Sequence, residues 1–267
     1  MILITLLLFT ATAFADFDKE PQNSHDNEAV PLTKTLNIVP QTKTEDIAPL
    51  YTSLDISYPQ IVGEDLSPSA NEFNKLVMQI ITDQIQTFKN SVTRDLPHMK
   101  TLPEEVRKNT LFIDYDIDVI YRDKRPIISI RFMIEGMQAG HVHPFHAHHV
   151  LNYDLNNKKI LTLNDLFKSH SNYLRIISNY SLEKLTKKLL EDSKDSPKEV
   201  TKMEATWITE GTQPTPKNYQ VWNIEDDGLL ITFNEYQVAS YGAGPQEVEI
   251  PYSVLKKILA SDSHFIQ

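Results

Sequence analysis

With 267 residues, 40% of them hydrophobic, and 15 prolines, the chain can build one domain or two small packed ones, with a real core and many loops. Its formal net charge of −10 disfavours nucleic acid and anionic membrane as partners and is compatible with a cationic one, because opposite charge speeds encounter, although moderate acidity is common in soluble proteins and that is the plainer reading. The absence of cysteine excludes disulfides, thiolate nucleophiles and cysteine-based zinc sites.

Met1 to Ala15 reads MILITLLLFTATAFA. The apolar run is short for a bilayer span, and Ala13-Phe14-Ala15 has the small-x-small form of a signal-peptidase site. Residues 1–15 are therefore expected to be a signal peptide cleaved after Ala15. No later apolar run is long enough for a membrane helix, so the mature protein is expected to be exported, periplasmic or secreted, without stable membrane insertion. Residues 16–46 are polar, with Pro21, Pro31 and Pro40, and read as a flexible leader in which Leu32, Leu36 and Ile38 can still pair at a sheet edge.

Leu54, Ile56 and Tyr58 alternate, giving a strand that ends at Pro59. Ser67-Pro68 opens a helix, with Ser69 and Glu72 at capping-box spacing and Phe73, Leu76, Val77, Ile80, Ile81, Ile85 and Phe88 on helical periodicity. Residues 111–121 alternate apolar side chains with Asp114, Asp116 and Asp118, which marks a long half-buried strand. A turn at 123–126 returns Ile128, Ile130, Phe132 and Ile134 antiparallel, and Gly136 to Gly140 breaks the pattern. His141 to Leu155 reads as the next strand, turned by Asn156-Asn157. Tyr173 to Leu190 forms an amphipathic helix whose lysines are a solvated face, and 197–210 suits another. The hairpin that follows runs Tyr219, Val221, Ile224, turns at Asp226-Asp227-Gly228, and returns through Leu229, Ile231 and Phe233. Residues 234–244 leave the ladder, Val248 and Ile250 resume it, and Ser253 caps a short closing helix.

Four groups invite chemistry. Gln138 to His149, QAGHVHPFHAHH, holds five of the nine histidines, and on a strand His146 and His148 share a face that can bind zinc or copper. No His-Glu-x-x-His motif accompanies them, so a structural or exposed cluster is the plainer reading. Asp114, Asp116 and Asp118 sit roughly 7 Å apart on one strand face, a separation seen in glycosidases but also in any solvated acidic strand. Gly-x-Ser-x-Gly, Gly-x-Gly-x-x-Gly and the phosphate-loop motif are absent. The loop of Glu235, Tyr236, Tyr241, Gly242 and Gly244 suits recognition, since tyrosine offers area and a hydroxyl at low entropic cost. It equally suits a plug at the sheet end formed by Tyr236 and Tyr241, which is the plainer reading.

DDGLLITFNEYQVASYGAGPQEVEIPYSVLKKIL, residues 226–259, resembles the C-terminal signature of the RsiV-type extracellular domain, through Gly228, Leu229, Phe233, Tyr236, Val238, Ala239, Tyr241, Gly244, Glu247, Ile250, Pro251, Tyr252 and Leu255. Residues 57–77 are similar to the module that precedes that domain, Leu163 to Phe167 to its L-x-D-L-F segment, and Gly140, His143 and Pro144 to a turn that His143 orients by hydrogen bonding. The family includes lysozyme-sensing anti-sigma factors and the non-catalytic part of some peptidoglycan deacetylases. Strands and helices come in blocks rather than strict alternation, which argues for an α+β fold with a mainly antiparallel sheet packed by two or more helices; the resemblance implies two modules, 47–157 and 158–267, sharing one globule. It implies a non-catalytic domain, with no cofactor, that binds lysozyme or another cationic envelope protein. The alternative is a peptidoglycan-acting enzyme or a metal-binding protein using the histidines of 141–149.

Overall fold

The computed structural model describes residues 36–122, 125–192 and 198–260. The expected signal peptide, with Ala13 and Ala15, and most of the expected leader lie outside the described residues. Six strands form one sheet in chain order: β1 (Ile38–Ile47), β2 (Thr52–Ile61), β3 (Asn109–Arg122), β4 (Arg125–Met137), β5 (Phe145–Asp154) and β6 (Lys159–Ile160). Three more form a second sheet: β7 (Trp222–Ile224), β8 (Gly228–Phe233) and β9 (Gln246–Pro251). The helices are α1 (Pro68–Met99), α2 (Tyr173–Asp192), α3 (Lys198–Gly211) and the single turn α4 (Tyr252–Leu255). The fold is α+β. Every strand pair is antiparallel except β2 with β3, which run parallel. A parallel pair needs a long crossover, and α1 supplies it.

Ser67 caps α1 by accepting from the Ala70 amide at 3.1 Å, and Pro68 fills the first helical position. The cap is therefore Ser67 rather than the expected Ser69 and Glu72 box, because proline fixes where the helix begins. Phe73, Val77, Ile81, Ile85, Phe88 and Val92 recur every three or four residues and are buried against β2 to β5.

The last residues of the expected leader are strand β1, antiparallel to β2. Pro59 does not end β2. It faces Pro40, and β2 has already left β3 after Ile56, so the ladder does not need its missing donor. Gly136 does not break β4, which runs through it to Met137. A Cβ there would sit 2.3 Å from the Phe145 ring, so the glycine makes room for a packed aromatic. β5 starts at Phe145 instead of His141, with 141–144 forming the turn before it. Tyr219 ends a 3₁₀ turn (Pro216–Tyr219), which leaves β7 shorter than expected. Ser253 lies within α4, whose N-cap is Pro251.

The two sheets belong to one unit, residues 35–267. α1 covers one face of the large sheet. The second sheet meets the opposite face through buried polar contacts. Asn152 Nδ2 donates to the Trp222 carbonyl at 2.9 Å, and Ser129 Oγ accepts from Asn223 Nδ2 and from the Ile224 amide, each at 3.0 Å. α2 packs on β9 and against α3, and a second core forms around Ile177, Leu185, Ile208, Leu229, Ile231 and Phe233. Ile120 and Ile127 of the large sheet join that core. The second sheet covers only part of this face; the rows toward the other end stay open.

Candidate functional site

Cross-strand register defines the open rows. Glu135 lies opposite Phe112 and His146, and Met133 opposite Asp114 and His148. Alternation along a strand puts these side chains on the face away from α1. The loop between β8 and β9 rises over the same rows and closes a cleft of about 650 Å³. Asp114, Glu135, His146 and His148 line it from the sheet, and Glu235, Tyr241 and the 242–245 segment from the loop. The structure thus brings the histidine strand and the aromatic loop together.

Tyr241 fastens the loop. Its ring stacks on His143 at 3.9 Å between centroids, and its hydroxyl donates to the Pro144 carbonyl at 2.9 Å. His143 Nδ1 donates to the same carbonyl at 3.0 Å. Glu235 accepts from His146 Nδ1 at 2.6 Å, while Glu135 Oε2 lies 3.4 Å from His146 Nε2. His148 Nδ1 pairs with Asn234 Oδ1 at 2.8 Å. Burial pushes the His148 imidazole below its ordinary range, with Arg131 adding to the effect and the Asn234 bond opposing it. His149 points to the other face and is also lowered by burial. His141 is exposed at the turn. Among the described residues, no three His, Asp or Glu side chains group closely enough to hold a metal ion.

The expected tyrosine plug is corrected at Tyr236, while Tyr241 is partly buried and keeps a structural role. Tyr236 is 58% exposed, and the buried residues of the loop are Val238 and Ala239. Tyr236 also has a positive φ of 62°, a conformation that strains a bulky L-residue. Gly242 is exposed and Gly244 partly so. Gly244, at φ 67° and ψ −175°, occupies a region open essentially to glycine alone. Gly242 has no such requirement, and a Cβ at either position would meet nothing within 4 Å. Gly244→Ala is therefore expected to cost about 1–3 kcal/mol through the backbone alone, with Gly242→Ala near neutral. Denaturant melts of the two variants check this; equal effects would contradict the assigned loop path.

Glu135 and Asn234 were not singled out from the sequence. Glu135 faces His146 only through the register of the β4–β5 hairpin, and Asn234 reaches β5 across 86 positions of chain.

Asp114, Asp116 and Asp118 share one face but divide between two places. Asp114 lines the cleft, while Asp116 and Asp118 line a smaller pocket of about 300 Å³ at the seam of the two sheets, beside Arg131, Asn223 and Glu225. Arg131 bonds Asp116 at 2.7 Å, Thr232 Oγ1 at 2.9 Å and Glu247. Burial, Asp226 and Asp116 push the Asp118 carboxyl above its usual range, against the pull of Arg131. Burial and the Asp118 charge, joined by Glu249 and Glu247, raise Glu225 likewise. A raised carboxyl pKa means that the fold favours the protonated form. That stabilisation is complete below the ordinary carboxylate value of about 4 and is lost as pH rises through the folded values. Asp118→Asn should therefore stabilise the protein near neutral pH, and its advantage should shrink on acidification. Urea melts across pH measure this; an advantage independent of pH would contradict it.

Residues 164–253 match the family model described as "Protein of unknown function (DUF3298)". The match takes in β7 to β9 and the aromatic loop. Two curated relatives are from Bacillus subtilis strain 168. The peptidoglycan-N-acetylmuramic acid deacetylase PdaC is 25% identical over 204 residues, 76% of this chain and 38% of its own length. The anti-sigma-V factor RsiV is 26% identical over 217 residues, 80% of this chain and 67% of its own. The resemblance to RsiV-type domains stands with these matches. The fold is shared with two crystal structures of DUF3298 proteins. The one from Bacteroides fragilis has a TM-score of 0.58 at 18% identity, covering 87% of this chain and 97% of that one. The one from Pseudomonas aeruginosa has a TM-score of 0.55 at 13% identity, covering 88% and 98%. Among the described residues, no helix is long and apolar enough to cross a membrane.

Proposed function

We propose that this chain is an exported, non-catalytic binding domain of the cell envelope, that its recognition face is the cleft beneath the aromatic loop, and that its ligand is a cationic protein, lysozyme first. One observation carries the reading: Asp114, Glu135 and Glu235 converge on a cleft whose lining includes no lysine or arginine. Such a surface attracts positive charge and repels the acidic majority of proteins. Exposed Tyr236, held in a strained backbone, and partly exposed Tyr241 give the rim the aromatic area on which recognition relies. Likeness to the anti-sigma factor RsiV, whose family includes lysozyme sensors, supports the choice of partner. The test is a binding titration of the protein against lysozyme over a range of salt, in which affinity should fall as screening grows.

A second reading has its own observation. Glu235 holds His146 at 2.6 Å in an open cleft, the pairing of an orienting carboxylate with an imidazole general base. PdaC, a relative, bears the name of a peptidoglycan deacetylase. Turnover of peptidoglycan fragments that disappears in Glu235→Gln would establish chemistry in place of binding alone.

A further inference from the structure

The two edges of the large sheet differ. β1 carries Pro40, Lys43, Glu45 and Asp46, residues that discourage another strand from pairing. On the other side β6 is only two residues long and meets just Tyr153 and Asp154. Residues 145–150 of β5, FHAHHV, thus have β4 on one side and, among the described residues, no strand on the other. They include no proline or lysine, and their register with β4 is unbroken by a bulge. Burial follows the pairing: residues 151–155 are buried, while 145–150 are all at least partly exposed.

Two bonds fix which residues point outward. The Leu155 amide, just past β5, donates to the Pro126 carbonyl on the β4 side, and the Asn152 carbonyl accepts from the Leu161 amide on the β6 side. Odd residues of β5 therefore turn their backbone groups to β4, and His146, His148 and Val150 turn theirs outward. Among the described residues, nothing bonds these outward amides and carbonyls. A second observation is a groove of about 260 Å³ beside this edge on the α1 face. Phe145 and Ala147 line it from β5, Leu111 and Ile134 lie behind them, and Thr87 and Phe88 of α1 form its far wall. Ile134 and Ala147 also line the cleft, so the two cavities stand back to back across the sheet. The groove lining includes no lysine or arginine. Arg94 stands at one end, on Ser91 and beside Asp95, and Asp83 stands at the other, beside His149.

We propose that this edge receives an extended segment of a partner protein, which adds a strand to β5, sets a large apolar side chain in the groove and places a lysine or arginine near Asp83. Backbone pairing supplies the affinity of such an addition, and the pocket for alternate side chains supplies its specificity. The incoming residue opposite Ala147 faces α1 with its Cβ roughly 5 Å away, so its side chain enters the groove. The residue two positions on lies opposite His149, on the same face and beside Asp83. A second copy of this chain fits less well, since each copy brings the same acidic flank and a net charge of −10. The groove lies on the other face of the sheet from the cleft, and its occupancy does not depend on lysozyme.

The experiment uses the ¹⁵N-labelled full chain and the peptide acetyl-Thr-Lys-Thr-Phe-Thr-Lys-Thr-amide, whose two lysines and phenylalanine share one face when extended. In the free chain the His146, His148 and Val150 amides should exchange with solvent at least about tenfold faster than those of Ala147, His149 and Leu151. The peptide should slow the first set and leave the second unchanged. The same peptide with alanine for phenylalanine should bind at least about tenfold more weakly. Thr87→Trp fills the groove from an exposed helix position, and Val150→Pro removes an outward amide without touching the β4 ladder; each should weaken the parent peptide at least about tenfold. The two variants test groove and edge separately. Slow exchange of the three outward amides in the free chain would overturn the proposal. So would no binding at about 1 mM peptide, equal binding of the alanine peptide, or full affinity in both variants. Protection of the same amides that grows with protein concentration alone would assign the edge to a second copy and overturn it too.

Discussion

Replacing Arg131 with leucine is expected to destabilise the protein by about 2 kcal/mol, a fall in melting temperature of roughly 4–8 °C. Its side chain is only 11% exposed and joins three strands: Asp116 on β3, Thr232 on β8 and Glu247 on β9. It is therefore a link between the two sheets as well as the main counter-charge for the acidic seam. Removing one partner of a buried ion pair costs more than the pair contributes, because the other charge is left without compensation. Asp116 and Glu247 are about half exposed, at 57% and 48%, so water recovers part of the loss and the effect belongs below the fully buried range. Asp118 and Glu225 would face each other with less relief, so the loss should be greater at neutral than at acidic pH. Thermal melts at two pH values measure both points. A change under about 0.5 kcal/mol would show that the sheets are held by the Ser129, Asn152 and Asn223 contacts and the apolar packing of Ile120 and Ile127, with little from Arg131.

The second large effect is on binding. Tyr241→Ala should weaken association with a cationic partner by about 2 kcal/mol or more, roughly thirtyfold. The residue forms a wall of the cleft and ties the loop to the 141–144 turn by its stack on His143 and its bond to Pro144. Tyr241→Phe keeps the ring and the stack and removes only that one bond, so it should retain most of the affinity. Tyr236→Ala removes an exposed ring and should leave the melting temperature unchanged. Full affinity in Tyr241→Ala would mean that the partner binds elsewhere.

Local physics made much of the fold legible. Helical periodicity identified α1 and α2, alternation identified β3, β4 and β8, and Asp226-Asp227-Gly228 marked the turn between β7 and β8. Two of the errors share a cause: a local breaker was tolerated because of what the rest of the sheet does around it. Gly136 stays in β4 because Phe145 packs over it, and Pro59 stays in β2 because β2 has left β3 after Ile56 and no ladder bond there needs its missing donor. The parallel pairing of β2 with β3 was not readable, since alternation reveals a buried face but not a neighbour. At the site, the shared face of His146 and His148 followed from their spacing, and the resemblance drew attention to the loop. Their meeting did not follow, because it depends on how two sheets stack. The carboxylates of the cleft come from β3, β4 and the loop, and no stretch of sequence contains all three.

The most direct measurement is the affinity of lysozyme for the parent protein and for Asp114→Asn/Glu135→Gln/Glu235→Gln, each at low and at physiological salt. The account predicts that the parent binds, more weakly at higher salt, and that the triple variant loses at least about tenfold in affinity together with most of that salt dependence, while keeping its fold by circular dichroism. No binding by the parent at about 100 μM, or equal affinity in parent and variant, would contradict it.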